Sequence, residues 1–484
     1  MDPVEVGRAR SGIEGLDPVA GGGLPSGRVT LVSGTAGSGK TLLAVQFLVA
    51  GIVEADEPGV FVTFEERPQE IARNFRSFGW DIAGWQEAGT WSFVDASPDL
   101  SDELVVAGDY DLSSLVARVR HAVEQTGARR VAIDSTGSLI DQFGDAQIAR
   151  RALLQIAAAL QRLDVTTVMT AERPDDFGPI SRFGFEEFVA DNVIILRNVL
   201  DAEKRRRTLE VLKLRGGAHL KGEHLFTIKS GQGMIVVPQE VLNFGYASSH
   251  ERLPSGIPEL DAMTHGGFLA RSLVLASGPT GVGKSLLATQ FVVGGIERGD
   301  RGLLFSFEES RDQLVRNAEA WGVDFEQLEA EGKLLIVAQA PEAASLEDHL
   351  LHLKSVMDGF RPDRIAIDSL SALHRVASMK SFREYLLGLS FHIKASSLLG
   401  LMTATSDSSG SDLSGGLHMS TVADAIVVLQ YVADHGRIGR AINVLKVRGS
   451  DHDKDIRGYT IDEHGMRIGE RLDLRSWHVL PEVL

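Results

Sequence analysis

Two short glycine-rich segments carry the clearest chemistry in this chain. One is Gly34, Thr35, Ala36, Gly37, Ser38, Gly39, Lys40 and Thr41; the other is Gly278, Pro279, Thr280, Gly281, Val282, Gly283, Lys284 and Ser285. Glycines at this spacing let backbone N–H groups turn inward around phosphate oxygens, and a following helix adds its positive end. Lys40 and Lys284 then reach β- and γ-phosphates, and the hydroxyls of Thr41 and Ser285 ligate Mg²⁺. A lone match can be a plain turn joining a strand to a helix. Two matches at equivalent points of a repeat make ATP with Mg²⁺ the expected ligand.

Two further pairs of carboxylate sites recur. Arg130-Val-Ala-Ile-Asp134 and Arg364-Ile-Ala-Ile-Asp368 read as apolar strands ending in an acid. Ligands of open α/β sheets lie beyond the carboxyl ends of strands, which assigns Asp134 and Asp368 to Mg²⁺. The alternative is an Asp that caps the next turn, beside Ser135 or Ser369. Glu65-Glu66 and Glu308-Glu309 follow the apolar runs Val60–Phe64 and Leu303–Phe307. A carboxylate there can orient or deprotonate the nucleophile that attacks a γ-phosphate. The alternative is a solvated acidic pair opening a loop. Extended neighbours point to opposite faces, so one Glu of each pair is expected to face the phosphate.

These residues need a strand before each loop and a helix after it. Val29–Ser33 and Ser272–Ala276 are apolar runs suited to strands buried on both faces. Leu42–Leu48 and Leu286–Val292 are apolar nearly all round, as buried helices are. The whole arrangement is written twice. Ser11-Gly-Ile-Glu-Gly-Leu-Asp17 returns as Ser255-Gly-Ile-Pro-Glu-Leu-Asp261, and Leu212-Lys-Leu-Arg-Gly216 returns as Leu445-Lys-Val-Arg-Gly449. With the glycine loops, the Glu pairs and the Asp strands between them, the order is kept throughout. A period this long is a duplicated domain, since solenoid repeats run ~20–50 residues. The expected units are 1–240 and 241–484, joined by a short connector near Val237 to Glu251. The expected class is α/β, two tandem P-loop domains, each a mostly parallel twisted sheet flanked by helices.

Composition narrows the partners. The net charge of −17 argues against a protein held to DNA or anionic lipid by its overall field. No cysteine is present, which excludes disulfides, a thiol nucleophile and thiolate-bound zinc. The start, Met1-Asp2-Pro3-Val4-Glu5, shows no export signal, and no apolar stretch is long enough to span a bilayer. A soluble, cytoplasmic protein is expected.

Lys213, Leu214 and Arg215 recur as Lys446, Val447 and Arg448, each set far downstream of its own glycine loop. Spacing of two places both cations on one face. In nucleotide-driven rings such late basic residues reach a neighbour's γ-phosphate. Charge guarding an edge strand against aggregation explains the spacing equally well.

At this point the residues resemble a known family. Thr170-Ala-Glu-Arg173, Glu186-Glu-Phe-Val-Ala-Asp-Asn192, Arg205-Arg-Arg-Thr-Leu-Glu210 and Leu212–Gly216 are similar to the N-terminal domain of the KaiC family. Ser420-Thr421, Asp424, Arg440-Ala-Ile-Asn443 and Lys446–Lys454 resemble its C-terminal domain. The resemblance runs from Ser11 to about Gly469. It implies tandem RecA-like domains, a homohexameric double ring with ATP at subunit boundaries, and trans roles for Lys213, Leu214 and Arg215 and for Lys446, Val447 and Arg448. It also implies ATP hydrolysis, autokinase and autophosphatase activity, and a circadian phosphorylation timer.

The copies differ where Ser420 and Thr421 stand, because the first copy has Glu187 and Phe188 there. Only the second has hydroxyls to accept phosphate, and the resemblance makes Ser420 and Thr421 the autophosphorylated pair. Glu308 or Glu309 would serve that hydroxyl, and Glu65 or Glu66 would serve water. A helix N-cap before Val422 is the plainer reading of the same two residues. The C-terminal run Leu472–Leu484 does not look like the segment with which family members capture a KaiA activator. A KaiB-type partner on the N-terminal ring remains open. Lys204-Arg-Arg-Arg207 reads as a basic turn between strands, and His349 with His352 as a solvated pair on a helix. The rival functions are a regulatory ATPase scaffold without autokinase activity and a RecA-like DNA-dependent ATPase.

Overall fold

The computed structural model describes residues 7–97, 112–143, 145–201, 204–238, 249–405, 415–434, 437–473 and 478–479. The chain divides into two compact units, Met1–Val241 and Leu242–Leu484. Most of the connector expected at Val237 to Glu251, and most of the run Leu472–Leu484, lie outside the described residues.

The first unit is built on a nine-stranded sheet. Its strands are β1 (Val29–Gly34), β2 (Gly59–Thr63), β3 (Trp91–Asp95), β4 (Arg130–Asp134), β5 (Thr166–Glu172), β6 (Asn192–Asp201), β7 (Lys204–Leu214), β8 (Glu223–Lys229) and β9 (Gly233–Val237). The spatial order is β3-β2-β4-β5-β1-β6-β7-β8-β9. Pairings from β3 to β6 are parallel, and those from β6 to β9 are antiparallel. Strand alternation fills both faces. Val29 and Leu31 enter one apolar cluster with Val60 and Val62, while Val32 and Phe61 enter another on the opposite face. The helix Lys40–Ala55, buried from Leu42 to Gly51, packs on the second face.

The second unit repeats this plan. Its strands are β10 (Leu273–Gly278), β11 (Gly302–Ser306), β12 (Leu334–Ala338), β13 (Arg364–Asp368), β14 (Leu399–Thr405), β15 (Ala425–Asp434), β16 (Arg437–Val447), β17 (Arg457–Asp462) and β18 (Gly465–Arg471). They lie in the order β12-β11-β13-β14-β10-β15-β16-β17-β18, and a short strand at His478–Val479 adds to β15. Both sheets are the mostly parallel P-loop arrangement expected. No helix among the described residues is long and apolar enough to cross a membrane.

Two readings of local sequence are corrected, and a third is left standing. Lys204–Arg207 form the start of β7, paired with Asn198–Asp201, so they are strand and not turn. Strands β7 and β16 lie inside their sheets, but their outer partners pair only with Thr208–Glu210 and Arg440–Ile442, so Lys213 and Lys446 lie beyond the stretch paired on both sides. His349 is fully buried against the Phe307 ring, with Nε2 3.1 Å from the Pro341 carbonyl, while His352 is exposed. They are not a solvated pair, and no group of three or more His, Cys, Asp or Glu side chains placed to share a metal ion forms among the described residues.

Each unit also buries an arginine at the start of a central strand, Arg130 and Arg364, whose role pattern reading overlooks. Arg130 Nε lies 2.6 Å from Glu57, its Nη1 donates to the Arg10 and Phe47 carbonyls, and its guanidinium lies over the Phe47 ring. Arg364 does the same with Asp300, the Pro254 and Phe291 carbonyls and the Phe291 ring. A buried cation is costly unless it is paired and hydrogen-bonded, and Arg364 meets that need through Nε and Nη1 while its Nη2 has no partner among the described residues. Arg364→Met should therefore lower the second unit's unfolding free energy by about 3 kcal/mol, because it strips these acceptors of their donor. Denaturant melts of the full chain read this directly.

Candidate nucleotide and phosphoacceptor site

In each unit the glycine loop joins the central strand to the buried helix. Gly39 (φ 96°) and Gly283 (φ 113°) stand just before the helices in the left-handed region, where a side chain would be strained. Gly34 and Gly278 admit no Cβ, which would lie 2.8 Å from the Leu196 carbonyl oxygen and 2.4 Å from that of Leu429. The glycines are thus required by backbone approach, as a phosphate cradle requires. Lys40 Nζ donates to the Thr35 carbonyl at 3.1 Å, and Lys284 Nζ donates to the Gly278 and Pro279 carbonyls at 2.9 Å each. Burial holds both ammonium groups below the usual lysine range. Glu172, Asp134 and Glu65 oppose that shift at Lys40, as Asp368 and Glu308 do at Lys284.

The acids at the ends of β4 and β13 face these loops. Thr41 Oγ1 donates to Asp134 at 2.8 Å, and Ser285 hydrogen-bonds Asp368. Thr170 and Thr403, on the adjacent strands, hold the other carboxylate oxygens. The capping alternative fails in the first unit, because Ser135, not Asp134, accepts from Ser138 N at the next helix. A hydroxyl beside a carboxylate is a set of hard oxygen donors that fits Mg²⁺. Burial raises both acids above the usual carboxylate range despite these hydrogen bonds.

The Glu pairs divide in the same way in both units. Glu65 accepts from Ser135 Oγ at 2.9 Å and from Ser138, and Glu308 pairs with Arg375 at 3.1 Å. These first glutamates are the ones whose charge acts on the loop lysines. The second glutamates turn to an asparagine, Asn74 Nδ2 to Glu66 at 3.2 Å and Asn317 Nδ2 to Glu309 at 3.1 Å. Burial, then the neighbouring Asp134 or Asp368, pushes Glu66 and Glu309 upward.

A raised carboxylate binds more protons in the folded chain than in the unfolded one, so stability falls as pH rises. The window opens near the ordinary value of ~4 and closes at the raised native value. Without nucleotide, Asp368→Asn should therefore lose less stability than the unsubstituted chain between mildly acid and neutral pH. Parallel melts across that range check the sign.

The basic residues lie elsewhere. Lys446 Nζ donates to the carbonyls of Ser420 (3.0 Å) and Ala423 (2.8 Å), and Arg448 Nη2 donates to that of Thr421 (3.2 Å). Arg448 also pairs with Asp424 at 3.6 Å, an acid held by Lys394 at 2.9 Å. In the first unit Lys213 donates to the Glu187 and Ala190 carbonyls, and Arg215 pairs with Asp191 at 3.3 Å. Leu214 and Val447 between them are buried. Ser420 and Thr421 occupy the last turn of the helix Gly415–Val422, half-buried and exposed respectively. The N-cap reading is therefore wrong: they sit at a helix C-terminus, whose carbonyls the two cations satisfy.

Several contributors were missed. Asn74 and Asn317 recur at the offset of the Glu pair, and Thr170 and Thr403 at that of the late basic residues, so the repeat itself carried the signal. Arg375 has no such signal.

Comparisons with known proteins give the family. A family model described as "ATPase: KaiC" matches residues 9–241 and again 253–473. This chain belongs to the KaiC ATPase family. It is 50% identical to the circadian clock protein KaiC3 of Synechocystis sp. over 468 residues, covering 96% of this chain and 92% of the relative. The circadian clock oscillator protein KaiC of Thermosynechococcus vestitus is 50% identical over 465 residues (96% and 89% covered). That of Synechococcus elongatus is 50% identical over 464 residues, with the same coverage.

Proposed function

We propose that this KaiC-family ATPase is a self-phosphorylating serine/threonine kinase, working in the cytoplasm as a homohexameric double ring with Mg-ATP at subunit boundaries. One observation supports transfer between chains. Asp424 N donates to the Leu273 carbonyl, at the N-terminal end of β10, whereas the glycine loop leaves that strand at its C-terminal end, Gly278. At ~3.3 Å per residue, β10 alone sets about 16 Å between the acceptor's end of the sheet and its own nucleotide. In-line transfer requires near contact, so the donor must be a neighbour's ATP.

In this reading the loop amides and Lys284 bind the phosphates, and Ser285 and Asp368 would hold Mg²⁺, which neutralises charge when bound. Glu308 takes the proton from the neighbour's Ser420 or Thr421 hydroxyl. That oxygen bonds to the γ-phosphorus as the bond to the β,γ-bridging oxygen breaks, and ADP leaves. The acceptor chain's Lys446 and Arg448 stabilise the charge on the transferred group. In the first unit Glu65 serves water, Thr41 and Asp134 hold the metal, and Lys213 and Arg215 of a neighbour reach the phosphate. Glu66 and Glu309, tied to asparagines, assist by position. A phosphate adds ~−1.5 to −2 charge, and beside helix-terminal carbonyls it is disfavoured unless cations turn to it. Phosphorylation would draw Lys446 and Arg448 from those carbonyls, which is a physical basis for a timer. A KaiB-type protein on the N-terminal ring is the proposed partner.

Incubating the full chain with Mg-ATP and mapping phosphate by mass spectrometry tests this. Label on Ser420 or Thr421, absent in Lys284→Ala, is expected. ATP hydrolysis with neither residue labelled would leave a scaffold ATPase instead.

A further inference from the structure

The two glycine loops are held at their tips by different side chains. In the second unit Tyr431 Oη donates to the Thr280 carbonyl at 3.3 Å, with its ring under the Arg440 guanidinium. In the first unit Asn198, the sequence equivalent of Tyr431, donates through Nδ2 to the Gly37 carbonyl at 3.4 Å. A second hold exists there. Thr35 Oγ1 donates to Asp176 Oδ1 at 2.9 Å, and the same oxygen accepts from Asn198 N at 3.1 Å. The Asp176 carbonyl accepts from Arg197 Nε at 3.1 Å, and Arg197 is itself tied to Glu210 at 2.7 Å. Arg173, at the start of the same loop, donates to the Pro179 and Gly178 carbonyls. A carboxylate on a braced loop thus reaches back to the second residue of the phosphate cradle.

At that second position the other unit has Pro279, whose ring fixes φ and which has no hydroxyl to give. At its second residue one cradle is stiffened by its own covalent geometry, and the other by a hydrogen bond from outside. We infer that Asp176 is a positioning residue for the N-terminal ATP site. Through Thr35 it holds the glycine loop in its phosphate-receiving form, the task that Pro279 performs in the C-terminal site. Its hydrogen bonds run to Thr35, Asn198 and Arg197, so it acts through the shape of the loop, on nucleotide affinity and not on the bond-breaking step. The inference rests on the first unit's hydrolysis of ATP.

The test uses the full chain carrying Lys284→Ala, so that turnover reports the first site alone. A hydrogen bond to a charged group sets the scale, and KM for ATP should rise about tenfold in Asp176→Ala with kcat within about twofold. Thr35→Val, which removes only the hydroxyl, should give the same shift. The double variant should be no worse than either single, as for two ends of one interaction. Asp176→Asn keeps an acceptor and should stay near the parent. Thr35→Pro should restore the KM of Asp176→Ala by substituting ring stiffness for the lost bond. A merely structural role would give additive losses and no rescue by proline. Unchanged KM in Asp176→Ala, or additive effects, would overturn the positioning role. No hydrolysis in the Lys284→Ala parent would instead contradict the ATPase assignment of the first site.

Discussion

Glu308→Gln should lower phosphate incorporation at Ser420 and Thr421 by 10²- to 10⁴-fold, the range for loss of a positioned general base, with nucleotide binding little changed. Glu309→Gln should cost far less. The two residues are adjacent in sequence but differ in what they face. Glu308 acts on Lys284 and is paired with Arg375 at 3.1 Å. Glu309 is tied to Asn317 and is pushed upward by burial and by Asp368, so it retains its proton more readily. Quench-flow measurement of phosphate on each variant separates them. Equal losses in both would mean that the pair acts as a unit and that the division read from the geometry is wrong.

Replacing Lys446 and Arg448 together by alanine should be as severe. A cation supplied in trans is worth ~10³–10⁵ in rate, and both side chains leave the end of β16 for the edge where Ser420 and Thr421 sit. Their loss also removes the donors that satisfy the last carbonyls of the acceptor helix, so local order there should fall as well. Amide exchange over Gly415–Val422 distinguishes the two effects. Retained protection with lost transfer marks the role as electrostatic, whereas lost protection with normal transfer would remove the cations from the chemistry.

How much of this was legible beforehand follows from what a sequence repeat can encode. The glycine loops, the strand-ending acids and the glutamate pairs were readable because spacing alone constrains them, and a second copy made each coincidence improbable; which glutamate of a pair faces the loop lysine was not. The mostly parallel sheet flanked by helices followed from apolar runs that suit strands buried on both faces, as Val29–Gly34 proves to be; the strand order did not. Errors arose where long-range pairing decides. Ser420 and Thr421 precede an apolar run that reads as a capped helix, yet β15 pairs it with β10 and β16 and makes it strand. Lys204–Arg207 read as a turn by charge, but ten-residue ladders across the hairpin draw them into β7. His349 is polar by type and buried by the packing of Phe307, which no local pattern reports. Arg130 and Arg364 were quoted as strand starts without their role, because their carbonyl partners lie far off in the chain.

In the proposed mechanism phosphate passes from one chain's glycine loop to another chain's Ser420–Thr421. Mixing two disabled proteins tests it most directly: Lys284→Ala, with intact acceptors and cations but no donor site, and Ser420→Ala/Thr421→Ala, with an intact donor site but no acceptor. After subunit exchange in Mg-ATP, mass spectrometry should find phosphate on the Lys284→Ala chains, although neither protein incubated alone gains any at these positions. Phosphate that never appears in the mixture, while the unsubstituted chain labels normally and exchange is verified, would contradict transfer between subunits.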